Sequence, residues 1–118
     1  MDIGIWMNAR TFEDKLDQQE TPKPEAAWNL SRWPQGFSHD SKQENRLFVA
    51  CDGYWRGYFL ISHEMLYLPE DEKTPYVMLF DTRTWTTIPN LPIKRFRGFT
   101  YKVPRMIDAQ WIPAKYKT

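Results

Sequence analysis

The chain has 118 residues, a formal net charge of +1, an aromatic content of 16% and one cysteine. This length suits a single domain with one sizeable core, and the six tryptophans supply large apolar side chains for it. The near-neutral charge argues against a protein built wholly for nonspecific binding to nucleic acid or to anionic membranes.

The charge is distributed unevenly along the chain. Residues 1–59 carry seven Lys/Arg against nine Asp/Glu, whereas residues 60–118 carry nine against six. We therefore expect any basic surface to come mainly from the second half.

Cellular location is predicted from two features. The lone Cys51 argues against an intramolecular disulfide and fits a reducing compartment. The chain opens without a basic-then-apolar signal segment, and no apolar run approaches the roughly 18–20 residues of a membrane helix. We expect a cytoplasmic protein that does not contact a membrane.

The N-terminal part of the chain predicts one strand followed by a short helix. Residues 1–9 alternate loosely between apolar and other side chains, which is the pattern of a strand. Thr11 is the predicted N-cap of a helix with acidic residues in its first turn. Phe12 and Leu16 stand four residues apart, so this helix of about two turns would bury one apolar stripe.

A second short helix is predicted after a polar loop. Pro24 suits the first turn of a helix, which we expect over Glu25–Arg32. Residues 37–45 are polar apart from Phe37 and are expected to be exposed.

The strongest short-range signal lies in residues 46–61, where two apolar runs flank Asp52-Gly53. Asp tolerates positive φ and Gly adopts it without steric cost, so this dipeptide predicts a tight β-hairpin. Alternation along the second arm predicts two faces, one with Tyr54, Arg56, Tyr58 and Leu60, the other with Trp55, Gly57, Phe59 and Ile61. Because both faces are largely apolar or aromatic, we expect the central pair of a curled sheet.

Further short strands are predicted after the hairpin. The apolar run Tyr76–Phe80 is typical of a buried strand, and residues 81–84 are expected to turn the chain. Another short strand is predicted at Trp85–Ile88, followed by a connection between Pro89 and Pro92 without regular pairing.

The last predicted strand is Arg95–Val103, with a bulge or bend at Gly98. The tail to Thr118 is expected to be irregular, with these anchors: Ile107, Trp111 and Ile112. Together these elements predict one α+β domain over residues 1–118. It would have a small, mixed, strongly bent sheet or pseudo-barrel and one or two short N-terminal helices.

The most informative candidate site is the segment 94–105, which holds five basic residues, three aromatic residues and no acids. Basic side chains bind phosphates, while aromatic rings stack on unpaired bases at roughly 1–3 kcal/mol per base. We predict phosphate contacts for Arg95, Arg97 and Lys102. The alternative is that the aromatic residues are core and the cations form the solvated face of an edge strand.

A second candidate follows the buried strand at residues 81–85. Arg83 could form two hydrogen bonds to a phosphate or carboxylate, and Trp85 could stack on a base. The alternative is an Asx-turn at Asp81, with a surface Asp–Arg pair and a tryptophan in the core.

A third candidate is an aromatic pocket near residues 28–37. Trp28, Trp33 and Phe37, together with Arg32, could sandwich a base, with Trp33 as the stacking residue. The alternative is that they cover a small core.

Catalytic signals are sparse. His39 and His63 have no ligand-like spacing to Cys51, so we predict neither a zinc site nor another cofactor. A Cys51–His63 nucleophile pair across the hairpin is one interpretation, and a buried structural cysteine is the other. The five glycines are scattered, which excludes a glycine-rich phosphate loop. We assign no catalytic residue.

The hairpin with Asp52-Gly53 and residues 55–59, then residues 85–89, then residues 94–101, together resemble PUA-like domains, including their ASCH and EVE relatives. The resemblance spans roughly residues 46–103 and implies a small pseudo-barrel with one or two helices. Many members bind RNA or modified bases, and a few ASCH members are hydrolases or nucleases. ASCH domains carry an early Gly-x-Lys-x-x-Glu-x-Arg signature that residues 1–36 lack, so the resemblance implies fold more than activity.

We predict a binding module for RNA, a modified base or another single-stranded nucleic acid. It would use the basic, aromatic segment and a cleft beside the N-terminal helices. Two alternatives stay open: a small ASCH-type hydrolase acting on a nucleobase or nucleoside derivative, and a protein-interaction or accessory protein. The sequence carries no signal for an oligomeric state.

Overall fold

A computed structural model describes residues 1–113. The elements in chain order are β1 (Asp2–Trp6), α1 (Ala9–Asp17), a 3-10 turn (Gln18–Glu20), β2 (Glu25–Leu30), β3 (Asn45–Cys51), β4 (Tyr54–Tyr67), β5 (Tyr76–Pro92), β6 (Phe99–Thr100), β7 (Arg105–Ile107) and β8 (Gln110–Ile112). Six strands form one sheet in the order β2-β5-β4-β3-β1-β6, and β7 pairs with β8. β1 runs parallel to β3, while the other pairs are antiparallel. The expected mixed, strongly bent sheet is confirmed, since the sheet curls into a half-barrel beside one short helix.

The Asp52-Gly53 hairpin is confirmed, with β3 and β4 as its arms. Both turn residues have positive φ, 51° and 85°, as a two-residue type I′ turn requires. The predicted alternation along β4 fails at Arg56, because a β-bulge lets Val49 pair with Gly57 and Ala50 with Trp55.

The bulge sends Trp55 and Phe59 to different cores. The first core contains Ile3, Ile5, Met7, Ala26, Leu30, Leu47, Val49, Phe59, Ile61, Met78, Phe80 and Phe99. The second core contains Phe48, Ala50, Trp55, Ile88 and Val103. Leu47 and Val49 alternate with Phe48 and Ala50, so β3 is buried on both faces and is central, as expected.

The second predicted helix is wrong, because residues 25–30 form strand β2 against β5. Ala26 and Leu30 are buried and Trp28 is half-buried, so the apolar side chains follow the period of two. Strand pairing with β5 outweighs the preference of Pro24 for the first turn of a helix. The contact with β5 begins at Pro24 itself, whose carbonyl accepts a hydrogen bond from the Thr82 amide at 3.0 Å.

Helix α1 is present with a different cap. Asn8, not Thr11, is the N-cap, and its Oδ1 accepts from the Thr11 amide at 2.8 Å. Phe12 and Leu16 pack against the first core, as the predicted stripe requires. No helix within residues 1–113 is long and apolar enough to cross a membrane.

The predicted turn at 81–84 and the separate strand at 85–88 are replaced by one strand, β5. Tyr58 pairs with Thr86 and Leu60 with Asp81, so β5 carries a bulge between residues 81 and 86. Pairing is interrupted at residues 88–90, as the prediction partly requires, but it resumes at Leu91 and Pro92 opposite Trp55 and Tyr54, contrary to prediction. The prolines are tolerated because β2 pairs only with residues 76–81, which leaves one edge of distal β5 open.

The predicted strand Arg95–Val103 is reduced to β6. Gly98 has φ +66°, and residues 93–98 before it form a loop that covers the second core. Downstream, β7 and β8 form a small hairpin in the region expected to be irregular. Trp111 anchors it, with its ring centre 5.8 Å from that of Phe48, whereas Ile107 is exposed. The predicted irregular tail at residues 114–118 lies outside the described residues.

Candidate nucleic-acid interface

An open pocket of about 660 Å³ lies where the β3–β4 turn meets the end of β5. We name it the basic pocket, and its lining residues are Gly53, Pro92, Ile93, Lys94, Arg95 and Phe96. The two chain segments meet because Tyr54 pairs with Pro92, and because the Ile93 amide donates to the Gly53 carbonyl at 3.0 Å.

Phe96 anchors the loop that carries the cations. Its ring centre lies 5.9 Å from that of Trp6 in an edge-on contact, and 5.7 Å from that of Trp55. The Arg95 guanidinium lies 5.4 Å above the Trp6 ring, a cation–π contact that directs the side chain along this surface. The loop conformation is therefore held by packing rather than by strand pairing.

The basic pocket joins an apolar lining to positive charge. Ile93 and Phe96 supply apolar surface, while Lys94 and Arg95 are exposed beside them. Arg97 is exposed one residue beyond Phe96, and within residues 1–113 none of these three cations forms an ion pair. Such a site can hold a flat apolar group and contact the anionic groups attached to it.

Lys102 lies beyond β6, on a neighbouring part of the surface. Its side chain is exposed, and its backbone amide donates to Thr100 Oγ1 at 3.1 Å. Next to it, the Tyr101 hydroxyl accepts from the Gln35 amide at 2.7 Å, which ties residues 99–102 to the loop before β3. Lys102 thus belongs to the same basic segment but does not line the basic pocket.

The second candidate site is occupied by internal contacts. Arg83 forms a two-point ion pair with Asp81, with Nη2 2.9 Å from Oδ2 and Nε 3.1 Å from Oδ1. The Arg83 amide also donates to Asp81 Oδ1 at 2.9 Å, which is the Asx-turn alternative. Trp85 is half-buried, with its ring centre 4.7 Å from that of Phe59 and 5.1 Å from that of Phe12. Trp85 therefore packs in the core.

The residues of the third candidate site do not form one pocket. Trp33 is 41% exposed, with its ring centre 5.6 Å from that of Phe37, while Trp28 packs against the first core. Arg32 turns towards Phe99, with its guanidinium 4.8 Å from the ring centre. Trp33 is therefore open to solvent but does not line the basic pocket.

The histidines and the cysteine do not form a catalytic pair. Cys51 lies at the turn end of the hairpin, whereas His63 lies at the opposite end, where its Nδ1 is 3.1 Å from the Ser38 carbonyl. Burial, followed by the adjacent Asp52 carboxylate, raises the pKa of the Cys51 thiol. Within residues 1–113 no three His, Cys, Asp or Glu side chains are grouped to hold a metal ion.

A smaller pocket of about 460 Å³ brings Lys23, Glu25, Asp81 and Arg83 together. The hydrogen bonds from Arg83 lower the pKa of Asp81, which keeps this carboxylate ionised and paired. A general acid–base pair for the hydrolase alternative requires a group titrating closer to neutral pH, and Asp81 is shifted in the opposite direction.

The residues that build the basic pocket were only partly predicted. The basic segment and the hairpin turn were found separately, but their meeting was missed because pairing was not expected up to Pro92. The sequence predicts Phe96 as a stacking residue or as core within a strand, and Trp6 as part of the first strand, but not the contact between them. The aromatic residue between cations in Arg95-Phe96-Arg97 is the signal that could have indicated an anchored loop.

Comparison of the chain with protein-family models, with curated proteins and with solved structures found no significant match.

Proposed function

We propose that this protein is a binding module for single-stranded nucleic acid, RNA in the first instance. In it, the basic pocket and the adjoining Arg97 and Lys102 contact the ligand. The observation that carries the proposal is the juxtaposition of exposed Lys94 and Arg95 with the apolar lining of an open pocket. Phosphates attract the cations, while an unpaired base offers a flat face to the apolar lining.

We propose further that the fold is of the PUA-like kind. The supporting features are the half-barrel sheet, the short helix after β1, and the basic segment that follows the long strand β5. This assignment is an analogy of architecture, and the binding proposal stands on the pocket independently of it.

We assign the predicted residues to the proposed interface, or remove them from it, according to their contacts. Arg95, Arg97 and Lys102 stay in it, and Lys94 joins them. Arg83 and Trp85 leave it, because one is paired with Asp81 and the other packs against Phe59. Trp33 leaves it because it lies in a different aromatic cluster.

The test is fluorescence anisotropy with labelled U8, dT8 and an eight-base-pair RNA duplex, each at 50 and 200 mM salt. The triple variant Arg95→Ala/Arg97→Ala/Lys102→Ala removes three cations from the interface. The matched control, Arg10→Ala/Lys23→Ala/Lys42→Ala, removes three exposed cations elsewhere and changes the net charge equally.

We expect the single strands to bind more tightly than the duplex, because duplex bases are already stacked. The interface variant should lower the salt slope by about 2, since each phosphate contact on a single strand contributes about 0.7. The control variant should change the slope by less than half of that. Equal slopes for both variants, in folded proteins, would overturn the proposed interface.

A further inference from the structure

Five rings form a continuous group at the far end of the sheet from the basic pocket. We name them the aromatic row: Tyr67, Tyr76, Trp33, Phe37 and His39. The ring centres of Tyr67 and Tyr76 are 5.3 Å apart, and Trp33 stands edge-on to Tyr76 at 5.7 Å. Phe37 and His39 continue the row at 5.6 and 6.0 Å from Trp33.

The aromatic row extends from the first core to the protein surface. Tyr76 and Phe37 pack against this core, but Tyr67 is 59% exposed and Trp33 is 41% exposed. Tyr67 and Trp33 both contact the half-buried Tyr76, and two accessible aromatic rings joined in this way are typical of an interaction surface.

The loops beside the aromatic row are acidic. The β4–β5 loop, residues 68–75, carries Glu70, Asp71 and Glu72 against one lysine, while residues 38–44 carry Asp40 and Glu44 against one lysine. Hydrogen bonds from Thr74 lower the pKa of Asp71, so this carboxylate is ionised at neutral pH.

The arginine next to the row contacts a ring outside the row. Arg32 precedes Trp33 in the chain, but its guanidinium lies 4.8 Å over the Phe99 ring. With Arg32 counted, the loops at residues 31–44 and 68–75 carry five acids against three Lys/Arg, so they keep a net negative charge.

We propose that the aromatic row is a docking site for a basic, extended segment of a partner protein, with Arg or Lys side chains seated on Trp33, Tyr76 and Tyr67. Cations are attracted to aromatic faces, and the acidic loops add a favourable potential. Same-side residues of an extended segment lie about 6.6–6.8 Å apart. This is about 1 Å more than the 5.3 and 5.7 Å between successive rings, a difference that long Arg and Lys side chains can span. The acids repel phosphates, so the aromatic row does not suit a nucleic acid, although Lys102 of the proposed interface follows Tyr101, which contacts the loop of the row at Gln35.

The probe is a fluorescein-labelled heptapeptide of alternating arginine and serine, and its control carries glutamate in place of arginine. Binding to the full chain is measured by anisotropy at 50 and 200 mM salt. Contact with the row is followed by the Trp33 indole N–H resonance, assigned with Trp33→Phe. The test variants are Tyr67→Ser and Glu70→Gln/Glu72→Gln, and Tyr54→Ser is the matched control because Tyr54 is 42% exposed near the opposite turn.

We expect the arginine peptide to bind and to shift the Trp33 resonance, and the glutamate peptide to do neither. Tyr67→Ser should weaken binding on the order of fivefold, consistent with the loss of one cation–π contact. Glu70→Gln/Glu72→Gln should weaken binding and reduce its salt dependence, while Tyr54→Ser should change neither.

Three results would overturn the proposal. One is an unmoved Trp33 resonance at millimolar arginine peptide, and another is equal binding by Tyr67→Ser and the parent chain. The third is a dimer in sedimentation that Tyr67→Ser dissociates, because the occupant would then be a second copy of this chain.

Discussion

Gly4 on β1 lies directly beneath the Trp55 ring of β4, so that a Cβ at position 4 would collide with the ring and with Val103 Cγ1. The missing side chain lets the indole lie over the sheet, where it contacts Phe96 at 5.7 Å between ring centres. Phe96 in turn lines the basic pocket. A glycine in the first strand therefore helps to position a loop about ninety residues later.

Gly4→Ala should destabilise the protein by about 1–3 kcal/mol, the usual cost of overpacking a filled core. Urea unfolding measures this change. The double variant Gly4→Ala/Trp55→Leu tests its cause, because a smaller side chain at 55 should make the alanine less costly than it is beside tryptophan. Equal costs in the two backgrounds would show that the ring is not the obstacle.

Arg46→Lys should cost more stability than Arg83→Lys, although both arginines form two-point ion pairs with aspartate. Arg46 joins β3 to Asp2 of β1 and also lies 5.3 Å over the Tyr58 ring, whereas the Arg83 side chain is 64% exposed. Lysine reproduces neither the two-point hydrogen bonding nor the planar stacking of arginine, so we expect a loss of about 1–2 kcal/mol for Arg46→Lys and a near-neutral effect for the solvent-screened Arg83→Lys. Chemical denaturation of both variants checks the order, and a reversed order would contradict it.

Asn45→Ala should be more destabilising than its size suggests, because Asn45 is only 1% exposed. Its side-chain amide accepts from the Ser38 amide at 3.0 Å and donates to the Ser38 carbonyl at 2.8 Å. The substitution removes the Asn45 partner of the Ser38 amide and leaves the Ser38 carbonyl with His63 Nδ1 at 3.1 Å, and an unsatisfied buried group costs about 1–3 kcal/mol. Asn29→Ala, at an exposed position, is the control and should be close to neutral by thermal unfolding.

Asp81 makes the stability depend on pH at the acidic end. Hydrogen bonds from Arg83 lower the pKa of Asp81, so its contribution is present above the unfolded value of about 3.9 and is lost as pH falls through the folded value. Asp81→Asn keeps an oxygen acceptor for the Arg83 amide but removes the charge. The stability difference from the parent chain should be below about 1 kcal/mol at pH 7 and should shrink below about pH 4. A stability difference that grows as the pH falls would contradict the lowered pKa of Asp81.

Cys51 should react slowly while the protein is folded. Its side chain is 3% exposed, and burial raises the pKa of the thiol, so both access and thiolate population are reduced. At pH 8 we expect Ellman's reagent to modify the native protein at least about tenfold more slowly than the urea-unfolded chain. Equal rates would show that Cys51 is accessible.

The sequence by itself determined those structural elements that depend only on residues close together in the chain. Asp52-Gly53 specified the hairpin because positive φ at two successive positions is a property of those two residues. The continuous apolar run of β3 specified a central strand, because a strand with apolar residues at successive positions is buried on both faces. The Phe12–Leu16 spacing specified the buried stripe of α1.

Tertiary structure decided the features that depend on distant residues. Glu25–Leu30 became a strand because β5 offered a free edge, and strand pairing supplies hydrogen bonds that a two-turn helix makes only in part. Trp55 changed faces because of the bulge at Arg56.

For the basic pocket, too, the sequence determined one part and the tertiary structure the other. The sequence by itself determined where the cations are, because residues 94–105 carry five of them and no acid. Only the tertiary structure decided that Lys94 and Arg95 flank a pocket, because that pocket exists where the Gly53 turn meets Pro92 and where Phe96 packs between Trp6 and Trp55. Charge is a property of each residue, whereas a cavity is formed by chain segments that contact one another only after folding.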